Sequence, residues 1–164
     1  YFKEIAEMIR LNLKDDSGIY GMPFYFEFET TGLYSCEPLI EAYSPHDNDM
    51  LHVNFSPKIG SLEKGSNIKR WKAFDEMGDP NKFPKNYSVK IVVDRNHISE
   101  DLRAIREFQL KYNIPNNKVY LMPLGVTREQ IIKEGPFVLD IAFDNGYNFS
   151  PRMHILMFDT KRLV

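Results

Sequence analysis

The chain has 164 residues, 43% hydrophobic and 13% aromatic, enough for a packed core and too apolar for intrinsic disorder. Its 21 Lys and Arg against 23 Asp and Glu leave a formal charge of -2, which excludes a general electrostatic grip on nucleic acid or an anionic membrane. One cysteine, Cys36, excludes an internal disulfide framework and cannot alone build a zinc or iron–sulfur site, and no apolar run approaches the roughly 20 residues of a membrane span. A soluble, cytoplasmic protein is the expectation.

The chain opens at Tyr1 without an initiator Met, inside an amphipathic segment in which Phe2, Ile5, Ala6, Ile9 and Leu13 recur at helical spacing. It therefore reads as a fragment cut upstream. Turn residues in "DDSGIYGMP" lead to a strand, "FYFEF" at 24–28, and a loop through Cys36, Pro38 and Pro45 leads to "LHVNF" at 51–55, the second strand. Residues 61–87 hold Gly65, Gly78, Pro80 and Pro84 among many lysines, which predicts a long, flexible, solvated excursion with a short helix near 67–76. Trp71 and Phe74 read there as anchors to the body.

"SVKIVV" at 88–93 predicts a strand, and Ile98, Leu102, Ile105, Gln109 and Tyr112 mark one face of a helix for which Ser99 is a candidate cap. "VYLM" at 119–122 is the next strand, and Thr127 with Gln130 makes a capping box for a helix ending near Gly146, with a kink or break expected at Gly135 and Pro136. "MHILMF" at 153–158 reads as the last strand. Strands alternating with helices predict an α/β protein with parallel pairing, and the uniform composition predicts one domain over 1–164.

In such folds ligands bind beyond the carboxyl ends of the strands, where several exits converge. Those exits carry Glu29, Thr30, Thr31 and Gly32; Ser56, Pro57 and Lys58; Asp94; and Pro123, Leu124 and Gly125. Glu29 suits sugar or amine groups, Ser56 a carboxylate or hydroxyl, and Lys58 an anionic group. The same residues are ordinary turn formers, and spacing alone leaves both readings open. His46, His52, His97 and His154 lack metal-ligand spacing, and His154 is the strongest functional candidate because Arg152 accompanies it. Cys36, without basic neighbours, reads as an inert thiol.

"FEFETTG", "VNFSPK", "YSVKIVVD", "VYLMPLGVT" and "GYNFSPRMHILMFDTKRLV", in that order, resemble the carboxyl-terminal part of the 7-carboxy-7-deazaguanine synthase family of radical S-adenosylmethionine enzymes. The resemblance implies the later strands and helices of an incomplete (β/α) barrel. It also implies a lyase reaction of the queuosine pathway, in which 6-carboxy-5,6,7,8-tetrahydropterin becomes 7-carboxy-7-deazaguanine with loss of ammonia. S-adenosylmethionine, a [4Fe-4S] cluster and Mg2+ are the implied cofactors, with a pterin substrate, no direct nucleic-acid or membrane partner, and a homodimer as the assembly common among relatives. Matched by motif, Ser56, Pro57, Lys58, Glu29, Thr30, Met122, Pro123, Leu124 and Gly125 are expected to contact S-adenosylmethionine, and His154 with the terminal carboxylate of Val164 to lie near the substrate.

The CxxxCxxC and GGEP segments of such enzymes are absent and are expected upstream of Tyr1. Leu124 stands where relatives often carry a polar residue, Leu163 where glycine is frequent, and Thr31 where Asn is usual. The fragment alone is expected to be inactive. Two other readings remain open: a radical activating enzyme with a different substrate, and a non-catalytic binding remnant.

Overall fold

A computed structural model of the chain describes residues 26–43, 51–63 and 71–160. The expected helix between Phe2 and Leu13, the strand residues 24 and 25, residues 64–70 of the excursion, Leu163 and Val164 lie outside them. The described chain falls into two compact units, one comprising residues up to Phe55 together with 71–87, the other 56–63 together with 88–160. Every strand pair described below is parallel, as the alternation of strands and helices predicts.

In the first unit, β1 (Phe26–Thr30) runs parallel to β2 (Leu51–Phe55), with Glu29 opposite Asn54 and Thr30 opposite Phe55. Helix α1 (Glu37–Tyr43) lies between them in sequence and buries Leu39 and Ile40. Four of the five β2 residues are buried, which suits a parallel strand covered on both faces. Asn54 is the polar member of this run, and its carboxamide donates to the Glu27 carboxylate.

Phe55 centres an aromatic cluster. The rings of Phe74, Phe83 and Tyr87 lie 4.7, 5.3 and 6.4 Å from it, and all four are buried together with Trp71. Residues 71–87 thus supply core side chains, and a solvated cover is the wrong description of them; Trp71 and Phe74 are the anchors they were expected to be. The lysines that suggested a cover stay outside: Lys72 and Lys85 are exposed. The helix of this stretch, α2, is short, Lys72–Asp75.

In the second unit, β3 (Asn86–Val93) from Ser88 onward pairs with β4 (Val119–Pro123), which pairs with β5 (Asn148–Phe149). Helix α3 (Ile98–Tyr112) connects β3 to β4, and α4 (Arg128–Asp144) connects β4 to β5. Ile105, Phe108 and Tyr112 form the buried face of α3. Ser99 does not cap this helix. The chain enters it through a 3-10 turn, Arg95–His97, and the capping side chain is Asp94, which accepts from the Asn96 N–H.

The capping box of α4 forms as its spacing predicts, the Thr127 hydroxyl accepting from the Gln130 N–H and the Gln130 carboxamide from the Thr127 N–H. The helix runs unbroken past Gly135 and Pro136. Proline leaves the Ile132 carbonyl without its helical donor, but Ile132 and Pro136 are both exposed, so water can serve that carbonyl.

The predicted last strand is a helix, α5 (Met153–Phe158). Strand pairing is already completed by Asn148 and Phe149, after which the Ser150 N–H donates to the Leu121 carbonyl and Pro151 has no N–H to offer. A six-residue apolar run has no decisive period, and this one buries Ile155 while Met153 and Met157 face outward. Arg128 secures its end by donating from Nε to the Leu156 carbonyl at 2.7 Å and from a terminal nitrogen to the Met157 carbonyl at 2.9 Å. No helix among the described residues is long and apolar enough to cross a membrane.

Candidate functional site

Because β3 and β4 are parallel and Val93 stands opposite Pro123, the residues that follow both strands emerge at one end. The Leu124 N–H donates to the Val93 carbonyl at 3.0 Å, extending the ladder by one bond into the loops. Between these exits opens a cleft of about 490 Å³ lined by Val93 to Asn96, Leu124 to Val126, and Gln130, Lys133 and Glu134 of α4. Its walls mix apolar side chains with both signs of charge.

Arg95 lies 3.6 Å from Glu134 Oε2 and stacks over the Phe137 ring at 4.5 Å. That same Oε2 is buried and makes no hydrogen bond, and the Arg95 guanidinium is the charge that faces it. Asp94 is held below the usual carboxylate range, first by the Asn96 backbone N–H and then by His97, whose Nδ1 lies 3.0 Å from Asp94 Oδ2. The same contact raises the exposed His97 imidazole above its ordinary value.

Backbone approach shapes the floor. A Cβ on Gly125 would sit 2.8 Å from the Ile131 side chain, so glycine lets the β4 exit press against the first turn of α4. Arg152 donates to the Gly125 carbonyl at 2.7 Å, which gives the arginine of "SPR" a part in holding this loop. Behind the exit of β3 lies Asp101, 2% exposed, whose two carboxylate oxygens accept from the Ser61 and Asp94 N–H groups, both at 2.8 Å.

Of the residues singled out in the sequence, Leu124 and Gly125 line the cleft, as does Asp94, while Met122 is half-buried and Pro123 buried at the end of β4. Ser56 is half-buried, Pro57 buried and Lys58 exposed on the segment leaving β2. In the first unit Glu29 is exposed at the end of β1, and the Thr30 hydroxyl accepts from the Gly32 N–H at 3.2 Å, so Thr30 shapes the turn. Gly32 has φ +79, and a Cβ there would meet the Phe74 ring at 2.8 Å. His154 is exposed on α5, not on a strand.

Cys36 is buried, and burial foremost, then the nearby Glu76 carboxylate, pushes its thiol up to about 12. It is inert at neutral pH, as expected. One buried thiol does not fit the ligand set of an iron–sulfur cluster, and no group of three His, Cys, Asp or Glu among the described residues could hold a metal ion.

Sequence reasoning missed Arg95, Gln130, Lys133 and Glu134 as cleft residues. The last three were within reach, since positions three and four apart on a helix starting at Thr127 share a face. Asp101 carried no such signal, as its partners lie 40 and 7 residues away.

Over 136 residues the chain is 28% identical to the 7-carboxy-7-deazaguanine synthase of Pyrobaculum aerophilum, covering 83% of this chain and 53% of that protein. Over 74 residues it is 35% identical to the 7-carboxy-7-deazaguanine synthase of Rhodopirellula baltica, covering 45% of this chain and 28% of that one. The chain resembles 7-carboxy-7-deazaguanine synthase. It spans about half the length of the first of these synthases and about a quarter of the second. No family model and no solved structure matches it.

Proposed function

We propose that this chain is the ligand-holding, carboxyl-terminal portion of a radical S-adenosylmethionine lyase with an incomplete (β/α) barrel, acting in 7-deazapurine biosynthesis. The substrate is 6-carboxy-5,6,7,8-tetrahydropterin and the product 7-carboxy-7-deazaguanine. The observation that carries this reading is the match to two synthases of that name, one of them along most of this chain. The cleft at the β3 and β4 exits supports it on chemical grounds.

A sulfonium nucleoside with an amino-acid tail, such as S-adenosylmethionine, requires an apolar wall for its base, acceptors for amine and hydroxyl hydrogens, and a cation for its carboxylate. Leu124 and Val126 offer the wall, the Asp94 carboxylate the acceptor oxygens, and Lys133 the cation. Glu29 with Thr30, Ser56 to Lys58 and Met122 to Gly125 keep the cofactor role the motifs assign, and His154 and Val164 the substrate role. Bound beside a reduced cluster held by another part of the parent, S-adenosylmethionine would supply, on one-electron cleavage, the radical that starts the ring contraction. This chain's residues bind, orient and shield it from quenching solvent. The cluster's thiolates belong to another part of the parent protein, because Cys36 alone cannot provide them.

The test is an anaerobic assay of the cluster-reconstituted parent with the carboxy-tetrahydropterin, S-adenosylmethionine and Mg2+, read by mass spectrometry for the deazaguanine. Product formation, with S-adenosylmethionine affinity lowered by Lys58→Ala and Glu29→Ala together, is expected. An active protein that makes no deazaguanine sinks the substrate assignment. A parent coding sequence without a cysteine cluster would favour the alternative of a non-catalytic binding remnant.

A further inference from the structure

A fully charged side chain is rarely buried to 2% unless its oxygens are satisfied, and both oxygens of Asp101 are satisfied by backbone groups from different parts of the chain. Oδ1 takes the Ser61 N–H, three residues beyond Lys58, and Oδ2 takes the Asp94 N–H at the mouth of the cleft. The 3-10 turn Gly60–Leu62 packs on α3, which carries Asp101 in its first helical turn. Gly60 completes the arrangement. Its φ of +64 belongs to the left-handed region, and a Cβ there would stand 2.5 Å from Asp101 Oδ1 and 3.1 Å from Asp101 Cα.

We propose that Asp101 is a positioning residue: its carboxylate clamps the turn that follows Ser56–Lys58 to the exit of β3, and so fixes that segment relative to the cleft. Charge-assisted bonds to backbone N–H groups are short and directional, so one rigid carboxylate on a helix holds two loops at once. Helix α3 serves as the bracket. Asp101 itself does not line the cleft, and its effect on a ligand passes through Asp94 and the Ser61 turn. The consequence for binding rests on the assignment of Ser56–Lys58 and the cleft to S-adenosylmethionine; the clamp itself does not.

Two readouts separate these. In the full-length protein, amide hydrogen exchange is compared between wild type and Asp101→Asn, in which an NH2 group replaces one acceptor. The Ser61 and Asp94 amides are expected to exchange at least about tenfold faster, while Ile91 and Leu121 in the strands keep their rates. Calorimetric titration with S-adenosylmethionine is expected to show affinity weakened about tenfold. Glu100→Gln, on the exposed neighbour, should change neither. Gly60→Ala approaches the clamp from its other side and should reproduce the defect; it decides the matter if Asp101→Asn loses the strand protection as well.

Unchanged exchange at Ser61 and Asp94 in the variants overturns the clamp, whatever the titration shows. Faster exchange with wild-type affinity overturns the positioning role. A wild-type protein that does not bind S-adenosylmethionine overturns the cofactor reading and the positioning role built on it, while the exchange data still decide whether the clamp exists.

Discussion

Phe55 and Asp101 are buried almost equally, at 0% and 2% exposure, and they show two different ways of holding a loop. Phe55 gathers Phe74, Phe83 and Tyr87 from a glycine- and proline-interrupted stretch by contact alone. Apolar burial has no preferred direction, so any chain path that delivers rings of the right volume will serve. Asp101 instead fixes two named N–H groups at 2.8 Å, and a displacement of either leaves a buried charge unsatisfied. The first arrangement builds mass, the second sets position. The structure uses the second around its polar cleft, where Arg152 on Gly125 and Gln130 on Val126 do similar work.

The comparison breaks most visibly at Phe55. Phe55→Ala should cost about 3–5 kcal/mol in denaturant unfolding, because it empties the centre of the aromatic cluster; a loss below about 1 kcal/mol would show that the cluster repacks and does not depend on that ring. Gly32→Ala should cost roughly 1–3 kcal/mol, combining a positive φ with a Cβ placed 2.8 Å from Phe74. If it is neutral, the turn at the end of β1 is not held by the cluster. Thr127→Ala removes a directed bond without touching either buried centre, and about 1 kcal/mol is expected by thermal melting.

The smallest effect is a pH dependence at the cleft mouth. His97 has its pKa raised by Asp94, so its contribution is fully present below its ordinary value of 6.5 and disappears as pH rises through the raised value. Asp94 has its pKa lowered, so its contribution is present above its ordinary value of 3.8 and is lost as pH falls through the lowered value. The contact is therefore strongest from about pH 4 to pH 6.5. An NMR titration should place His97 above its ordinary value, and Asp94→Asn should return it downward; a His97 unmoved by that substitution would mean the 3.0 Å contact does not persist in solution.

How much was legible depended on whether the signal was local. β2 was read to the residue because Leu51, Val53 and Phe55 alternate with His52 and Asn54 at the period of a strand and Ser56 and Pro57 then break the pattern, and α4 was read from its capping box because both partners lie within one turn. Ser99 failed as a cap because Asp94, five positions earlier, starts the 3-10 turn that leads into α3. Residues 153–158 failed as a strand because the edge of β4 was already occupied by Asn148 and Phe149, which no local pattern reports. Among the cleft-lining residues, Leu124 and Gly125 could be picked out by their place after a strand. Lys133 and Glu134 reach the cleft because helix α4 starts beside the β4 exit.

The sequence by itself determined the alternation of strands and helices, the parallel pairing, the capping box, the inert cysteine and the order of motifs that resembles the synthases. Each depends on periodicity, residue chemistry or motif order along the chain. Tertiary structure alone decided that Phe83 joins the core around Phe55, that 153–158 is helical, and that Asp101 joins Ser61 to Asp94. A carboxylate at position 101 looks like any acidic residue in a first helical turn, where the helix dipole already favours it. Only packing that removes water from it turns that residue into a two-point clamp.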